Sequence, residues 1–359
     1  MTHPHDLENL SPTEPAAELL ARYRPGDAPY AFRATAREAA EAWQAETRAA
    51  FETAIGFQDD PPGRDGSGDL APEHVEMVDK GDYTREKVVL QTAPHTAMPV
   101  YLLRPKAGTP PYSAVLAFHG HGYGVKDIVG LWEDGSERDT PDGYHRDFAV
   151  ALCRQGFAVA APEISCFGER QTDFSYLNTT LGQPIPSTCA NTAALAFHLG
   201  GSVVGIRVRD GRRLVDYLET VPDFDITRLG AMGISGGGLH TFYSSAVDPR
   251  IKAAVISGYY SSFAASILAM NHCFCNYVPG LAKFGEMSDL IGLLAPRPVF
   301  IEAGSHDPIF PVEAVRAAID EAHAVYRVFG NEDAVDHEIF EGRHRINGAG
   351  AFDFLKRVL

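Results

Sequence analysis

Short apolar runs alternate with longer amphipathic stretches through most of this chain. Glycine, serine, histidine or proline bounds each apolar run. The apolar runs occupy residues 113–118, 229–234, 253–258 and 299–304. Such runs between turn residues are typical of strands that are buried on both faces of a parallel sheet. Helical spacing of apolar residues appears at 207–218, 311–327 and 349–355. The alternation predicts an α/β fold, with a mostly parallel central sheet flanked by helices.

The N-terminal part of the chain has a different pattern. Residues 1 to about 28 are polar and contain prolines, and residues 32–57 are rich in Ala, Glu and Arg at helical spacing. Residues 59–70 are rich in Asp, Pro and Gly, which is typical of a linker. We therefore divide the chain into an N-terminal helical extension with its linker (1–70) and a main domain (71–359). Packing of the extension on the main domain is favoured over an oligomer contact or a wall of the functional site.

The main domain opens with a hairpin, which period-2 patterning over 86–103 predicts around residues 93–96. Three long insertions interrupt the rest of this domain. The insertions span 122–144, 163–204 and 259–289. Loops that follow parallel strands lie at the edge of the sheet where ligands bind, so we expect the insertions to border a functional site. The second is interpreted either as a partial lid or as ordinary surface packing. Their apolar residues are Trp132 in the first, Phe167, Phe174, Tyr176, Leu177 and Phe197 in the second, and Tyr259, Tyr260, Met270, Phe274 and Tyr277 in the third.

Composition and charge restrict the partners of this chain. Its 359 residues are 45% apolar and carry a formal net charge of −16, with a pI near 5.3. A surface of that charge repels nucleic acids and anionic membranes, so a small neutral molecule is the expected partner. No leader-like segment and no apolar stretch of about 18 residues is present, which predicts a cytoplasmic protein without a membrane span. A homo-oligomer stays open as an alternative.

The five cysteines do not predict a disulfide framework, because their number is odd and they are scattered along a long chain. Cys273 and Cys275 are spaced like metal ligands but lack a second matched pair. His119 and His121 form an i, i+2 pair without a matched carboxylate or cysteine cluster. These spacings predict buried thiols or pocket-lining thiols rather than a metal site. The sequence therefore predicts neither a metal nor any other cofactor.

The segment from Gly233 to Gly237 reads Gly-Ile-Ser-Gly-Gly and connects an apolar strand to a helix. A serine in a Gly-x-Ser-x-Gly turn between a strand and a helix is typical of a nucleophile elbow, which exposes the hydroxyl to substrate. The flanking glycines lack the side chains that would collide with neighbouring backbone in so tight a turn. An ordinary glycine-rich turn is the alternative. Residues further along the chain decide between the two interpretations.

Those residues follow in the order that an elbow serine requires. Asp307 is the third residue after the apolar run 299–304, and His344 is the fourth residue after a short predicted strand at 337–340. Serine, acid and histidine, each on a loop after a strand, predict a catalytic triad of Ser235, Asp307 and His344. In such a triad the histidine takes the serine proton, and the aspartate orients the imidazole. Rival acids are Glu302, Asp333 and Asp336, and rival bases are His306, His323 and His337.

The rivals rank lower because of their positions. Glu302 lies inside its strand rather than after it, and His337 begins a strand. His323 falls on an amphipathic helix, where we expect it to face solvent. A triad also needs donors for the oxyanion of its intermediate. The backbone N–H groups of Gly236 and His121 are the expected oxyanion hole. His119, on the same loop as His121, is expected to be structural.

With these motifs in place, the chain resembles the α/β-hydrolase superfamily, in particular its esterase branch with dienelactone hydrolases and acetyl xylan esterases. The resemblance covers roughly residues 85–359 and includes the helix at 207–218 and the Leu-Ala-Pro-Arg-Pro segment at 294–298. The hexameric cephalosporin C deacetylase type has glutamine after the nucleophile and an Arg-Gly-Gln segment. This chain has Gly236 and no Arg-Gly-Gln segment.

Together these features predict a serine carboxylic-ester hydrolase that acts through an acyl-enzyme. Small aliphatic acyl groups are expected, because the elbow is surrounded by glycine-linked backbone and not by a specific charged pocket. A peptidase or amidase is the alternative within enzymes, since the same triad cleaves amides. A catalytically silent hydrolase-like binding protein is the alternative from another class.

Overall fold

The computed structural model describes residue 11 and residues 13–58, 69–174 and 189–359. Most of the predicted linker, together with Tyr176 and Leu177, lies outside the described residues. The described helices are α1 (Pro15–Arg22), α2 (Arg37–Ile55), α3 (Phe148–Arg154), α4 (Cys189–His198), α5 (Val203–Leu218), α6 (Gly236–Val247), α7 (Met287–Leu290), α8 (Val312–Val328) and α9 (Ala349–Val358). The strands are β1 (Glu73–Asp79), β2 (Tyr83–Ala93), β3 (Thr96–Pro105), β4 (Tyr112–Phe118), β5 (Ala158–Pro162), β6 (Phe224–Ile234), β7 (Ala253–Ser257), β8 (Val299–Gly304) and β9 (Val335–Phe340).

The described strands form one nine-stranded sheet in the order β1-β2-β3-β5-β4-β6-β7-β8-β9. The run from β5 to β9 is parallel, and β1 to β3 extend it as an antiparallel edge. The predicted hairpin is confirmed, with its turn at Pro94 and His95, where His95 has a φ of 62°. The mostly parallel sheet flanked by helices confirms the predicted fold class.

Alternate residues of the central strands enter different cores on the two faces of the sheet. On β4, Leu116 and Phe118 pack with residues of α5, whereas Val115 and Ala117 pack with residues of α3 and α9. All four side chains are fully buried. Because both faces are covered, the central strands read as continuous apolar runs without alternation.

The N-terminal helix α2 packs on the body of the molecule. Phe51 is fully buried and makes edge contacts with Tyr243 and Phe284, at ring-centroid distances of 5.2 and 5.4 Å. Gln44 Nε2 donates to the carbonyls of Gly292 and Ala295 at 2.7 and 2.6 Å. The helix therefore shares the core that lies beneath α6 and α8.

The strand order places a crevice at the carboxyl edge of the sheet. From β4 the chain continues to β5 on one side, and β6 lies on the other side of β4. The direction in which successive strands are added to the sheet thus reverses at β4. Such a reversal separates the loops after β4 and β6 and is where ligands bind in open α/β sheets. No single described helix has the length and apolar composition to cross a membrane. Helices α4 and α5 have that length and composition only when taken as a pair, and the chain bends by 93° between them.

Candidate active site

Ser235 sits at the sharp turn between β6 and α6. Its φ of 57° and ψ of −120° lie outside the regions that non-glycine residues usually occupy, and such strain is often held at functional sites. The Ser235 N–H donates to the carbonyl of Ser257 at 3.0 Å, which fixes the turn against β7. A Cβ on Gly237 would lie 1.9 Å from the carbonyl oxygen of Phe118, so only glycine fits there. Ser235 thus lies on a tight strand-to-helix turn of the kind that the sequence pattern predicts.

The predicted acid and base are in contact. His344 Nδ1 lies 2.6 Å from Asp307 Oδ2. The other carboxylate oxygen of Asp307 accepts the N–H groups of Ile309 and Phe310 at 2.8 and 3.2 Å, which orients the carboxylate. The Asp307 side chain is almost completely buried. The pair can therefore hold one orientation of the imidazole with Nε2 turned away from the carboxylate.

His344 Nε2 is buried and has no hydrogen-bond partner among the described residues. It shares a cavity of about 300 Å³ with Ser235, so both reactive groups face one space. A Cβ on Gly258 would lie 2.9 Å from the imidazole, so this glycine makes room for the ring. The hydrogen bond from Ser235 Oγ to Nε2 is not formed here. Such bonds commonly tighten only when substrate is bound.

The predicted oxyanion donors lie beside the elbow. The loop after β4 passes so close that a Cβ on Gly120 would lie 3.2 Å from the Cβ of Ser235. A Cβ on Gly236 would lie 3.3 Å from the imidazole of His121. Within the described part of the chain, neither the His121 N–H nor the Gly236 N–H has a hydrogen-bond partner. Both N–H groups therefore remain available to an incoming oxygen.

A buried network that the sequence did not reveal holds this loop. The Gly120 N–H donates to His145 Nε2 at 2.8 Å, and His145 Nδ1 lies 2.8 Å from Asp127 Oδ2. Tyr144 donates its hydroxyl to the carbonyl of His121 at 2.6 Å. Burial lowers the pKa of His145, so its ring stays neutral and Nε2 can accept a hydrogen bond from the Gly120 N–H. No local spacing marks these residues, because they lie on the first insertion or directly after it and meet the loop only in the fold.

Glu302, a rival acid from the sequence, is buried behind the His344 loop. Its carboxylate accepts the Gly348 N–H at 2.6 Å, the Asn347 N–H at 3.2 Å and the Ser257 hydroxyl at 2.7 Å. Burial raises the pKa of Glu302, and these three hydrogen bonds offset part of that effect. Glu302 therefore ties the loop after β9 to β7 and β8 and does not contact His344 in the cavity.

The other rivals lie away from the cavity. His306 is exposed and lies 2.9 Å from Glu341. His323 is half-buried, with Nδ1 3.3 Å from the carbonyl of Glu332, so it faces solvent only in part. His119 is buried, with Nδ1 2.8 Å from the Gly120 carbonyl and Nε2 3.1 Å from the Ile164 N–H.

The first and the third insertion together supply seven of the thirteen residues that line the cavity, six of them from the third. The first contributes Tyr144, whereas its Trp132 is partly exposed and lies outside the wall. Phe167 and Phe174 of the second insertion are buried. The residues that line the cavity are His121, Tyr144, Ser235, Gly236, Tyr259, Met270, Asn271, His272, Cys273, Asn276, Ile309, Phe310 and His344. Among these described lining residues there is no Lys, Arg, Asp or Glu. The cavity therefore offers hydrogen bonds and apolar contacts but no fixed charge.

Comparison with known proteins agrees with this geometry. Residues 15–336 match the model of the Abhydrolase family. A Bacillus subtilis (strain 168) protein, provisionally named hydrolase YtaP, is 28% identical over 272 residues, which are 74% of this chain and 83% of that protein. The chain is thus similar to that protein over most of both lengths.

Solved structures share the fold at low identity. A protein of Bacteroides fragilis NCTC 9343, provisionally named an acetyl xylan esterase, has a TM-score of 0.74 at 18% identity, covering 93% of this chain and 84% of that one. The glucuronoyl esterase from Solibacter usitatus has a TM-score of 0.65 at 18% identity, covering 92% of this chain and 99% of that one. The resemblance predicted from the motifs is confirmed. Because the family model matches most of its length, this chain belongs to the α/β-hydrolase family.

Proposed function

We propose that this protein is a serine carboxylic-ester hydrolase that acts through an acyl-enzyme on small, uncharged esters. The observation that carries the proposal is the shared cavity of Ser235 and His344, with His344 held at 2.6 Å by Asp307. A strained serine, a buried acid–histidine pair and a histidine nitrogen without a partner together meet the requirements of an activated nucleophile. Binding alone calls for none of them.

The first half of the cycle is attack on the ester carbonyl. His344 Nε2 takes the proton of Ser235 as Oγ bonds to the carbonyl carbon, and the resulting imidazolium is stabilised by Asp307. The carbonyl oxygen becomes an oxyanion that accepts the N–H groups of His121 and Gly236. His344 then gives its proton to the departing alcohol oxygen as the carbon–oxygen bond breaks. An acyl group stays on Ser235.

The second half repeats these steps with water. His344 takes a proton from water, the hydroxide oxygen attacks the acyl carbon, and the same N–H groups hold the oxyanion. Ser235 leaves with the proton from His344, and the carboxylic acid is released. The network from Gly120 to His145 keeps the loop in place through both halves. The donors need no reorganisation when charge develops, which is the main source of their effect.

The cavity supports a small substrate without charge. Its volume of about 300 Å³ lies at the lower end of the range for ligand pockets. Met270 and Phe310 offer apolar contacts, and Asn271, His272 and Asn276 offer hydrogen bonds. A charged acyl or alcohol group would lose its hydration there without gaining an ion pair, which is unfavourable. The proteins named as acetyl xylan and glucuronoyl esterases support an ester substrate, and the cavity supports a short acyl group.

Hydrolysis of 4-nitrophenyl esters from acetate to octanoate tests the proposal. We expect the highest kcat/KM with the short esters, and a fall of at least ~10³-fold in Ser235→Ala and in His344→Ala. His306→Ala is the matched control, because this histidine is exposed and lies outside the cavity. The control is expected to keep the activity of the parent.

Three results would contradict the proposal in whole or in part. Ester hydrolysis that survives Ser235→Ala would remove the nucleophile. Cleavage of a matched 4-nitroanilide with a higher kcat/KM than the ester would make the enzyme an amidase. A preference for octanoate over acetate would refute the short acyl group while leaving the serine mechanism intact.

A further inference from the structure

Sulfur atoms from two separate parts of the chain meet beside the candidate active site. Cys273 and Cys275 lie on the third insertion, and Cys189 begins α4. The Cys189 thiol is hydrogen-bonded to Cys166 as well as to Cys273 and Cys275. Cys189 and Cys275 are almost completely buried, while Cys273 reaches the cavity wall. The sulfur atoms are therefore close neighbours although their positions span more than a fifth of the chain.

His121 completes the cluster. Its Nε2 lies 3.6 Å from Cys275 Sγ, and the ligand atoms of His121, Cys273 and Cys275 all lie within 4.8 Å of one another. Its other ring nitrogen faces Gly236, so Nε2 is the atom turned toward the thiols. The imidazole and the thiols of Cys273 and Cys275 thus converge on one point, and the Cys189 thiol lies next to both thiols.

One of these separations agrees with that of two ligands around a zinc ion. Zn–S bonds of about 2.3 Å and Zn–N bonds of about 2.0–2.1 Å at tetrahedral angles place sulfur and nitrogen about 3.6 Å apart. The observed distance from His121 Nε2 to Cys275 Sγ is 3.6 Å. Asn276 Nδ2 lies 3.9 Å from Cys275 Sγ, a contact of the kind that orients metal-bound thiolates.

The charge of the surroundings favours an anionic centre. The guanidinium of Arg207 is completely buried, and its positive charge faces the cysteine sulfurs. Within the described ranges no carboxylate forms an ion pair with Arg207, and its Nε has no hydrogen-bond partner. A buried cation without a counter-charge is strongly unfavourable. Three thiolates, one neutral histidine and Zn²⁺ carry a net charge of −1, which one arginine would balance.

We propose that His121, Cys189, Cys273 and Cys275 form a tetrahedral zinc site that fastens the oxyanion loop to the wall of the cavity. Soft thiolates with one imidazole in tetrahedral arrangement select zinc among the common divalent metals. Because four protein ligands leave no open position, the ion is structural and takes no part in proton transfer. The His121 backbone N–H stays free for the oxyanion, since only the side chain binds the metal.

This site departs from the expectation of no metal that the cysteine spacing supported. Cys273 and Cys275 lack a second matched pair in the sequence, because their partners come from an insertion and from the loop after β4. The metal would join three loops that border the cavity, and binding energy of such sites adds directly to folding stability. Loss of the ion is therefore expected to loosen the loop that carries His121.

The test measures metal in the full chain after expression with added zinc and purification without chelators. We expect about one zinc per chain. Cys275→Ser is expected to lower the zinc content by about tenfold or more. Cys153→Ser is the matched control, because Cys153 is a buried cysteine in a different core, and it should keep the metal. Ser235→Ala should also keep it, so failure of this proposal and failure of the esterase proposal are distinguishable.

X-ray absorption at the zinc edge gives a second readout that does not depend on variants that fold. The account predicts sulfur neighbours at about 2.3 Å and a nitrogen neighbour at about 2.0–2.1 Å. Zinc-free parent protein, or zinc with oxygen and nitrogen neighbours only, would overturn the site. A disulfide between Cys189 and Cys273 or Cys275, found by peptide mapping of unreduced protein, would overturn it as well.

Discussion

Replacement of Glu302 by glutamine tests how the molecule positions His344. The carboxylate is 1% exposed and receives three donors, which are the Gly348 N–H, the Asn347 N–H and the Ser257 hydroxyl. Glutamine offers one acceptor oxygen, and its NH₂ group must face a donor. The Ser257 hydroxyl can rotate and accept, but a backbone N–H cannot. In either orientation of the amide, at least one N–H of the loop loses its partner.

The magnitude follows from these contacts. A buried donor left without a partner costs about 1–3 kcal/mol, and loss of the negative charge weakens the remaining hydrogen bonds by about 1 kcal/mol. We therefore expect Glu302→Gln to lower the free energy of unfolding by about 2–4 kcal/mol. The loop carries His344, the proposed general base, and a misplacement of about 1 Å can lower kcat by about 10²-fold. KM should change little, because Glu302 does not line the cavity.

The assay combines urea unfolding with kcat and KM on 4-nitrophenyl acetate. Glu341→Gln is the matched control, since this exposed glutamate lies on the same loop and its carboxylate contacts exposed His306 and the Ser305 hydroxyl. Its free energy of unfolding should stay within about 0.5 kcal/mol of the parent, with kcat unchanged. If Glu302→Gln unfolds like this control and keeps kcat, the positioning role is refuted. Lower stability with an unchanged kcat would leave Glu302 a purely structural role.

Three further variants test other parts of the account. Asp307→Asn should lower kcat by about 10⁴-fold with little change in circular dichroism, because the amide favours the wrong imidazole tautomer of His344; activity near that of the parent would contradict the triad. Asp127→Asn should lower kcat by about 10- to 100-fold, since His145 loses the acceptor that keeps Nε2 turned to Gly120; a change in KM alone would contradict this. Burial, and then the charge of Arg207, hold the pKa of His240 well below 6.5, so the unfolded chain binds one more proton below that pH. This residue should therefore lower the free energy of unfolding by about 1.4 kcal/mol for each pH unit below 6.5. Urea unfolding of His240→Gln at several pH values should show a slope of that free energy against pH that is smaller by the same amount; equal slopes in parent and variant would contradict the buried neutral state.

The sheet was predictable wherever both faces of a strand are covered. The runs at β4, β6, β7 and β8 are apolar at nearly every position, and the residues after them are small or polar because the chain turns there. The edge strand β1 was not predicted, because nearly all of its residues are exposed. Without a buried face, its sequence does not alternate in the way that marks other strands.

The predicted site residues share one property that made them visible. Ser235 follows a strand directly, Asp307 and His344 come three and four residues after the end of one, and the end of a strand can be located in the sequence. Tyr144, His145 and other supporting residues lie on the insertions or directly beside them, and the path of these segments over the sheet depends on long-range packing. No local spacing records that path, so the sequence contained no signal for them.

The cysteine cluster illustrates the same limit. Ligands of sequence-recognisable metal sites come in closely spaced pairs, and of the four proposed ligands only Cys273 and Cys275 form such a pair. His121 and Cys189 join them because the loop after β4 and the start of α4 meet the third insertion in space. Glu302 was visible as a nearby acid, but its buried hydrogen bonds to the loop appear only once the chain is folded.

Intact-mass analysis after reaction with a fluorophosphonate probe tests the central claim most directly. The account predicts one covalent adduct per chain in the parent, mapped to Ser235 by peptide sequencing. Ser235→Ala should show no adduct, and His344→Ala should react far more slowly, because the serine then lacks its base. An adduct of equal yield in Ser235→Ala, or a parent that hydrolyses esters without any adduct, would contradict a serine nucleophile at this position.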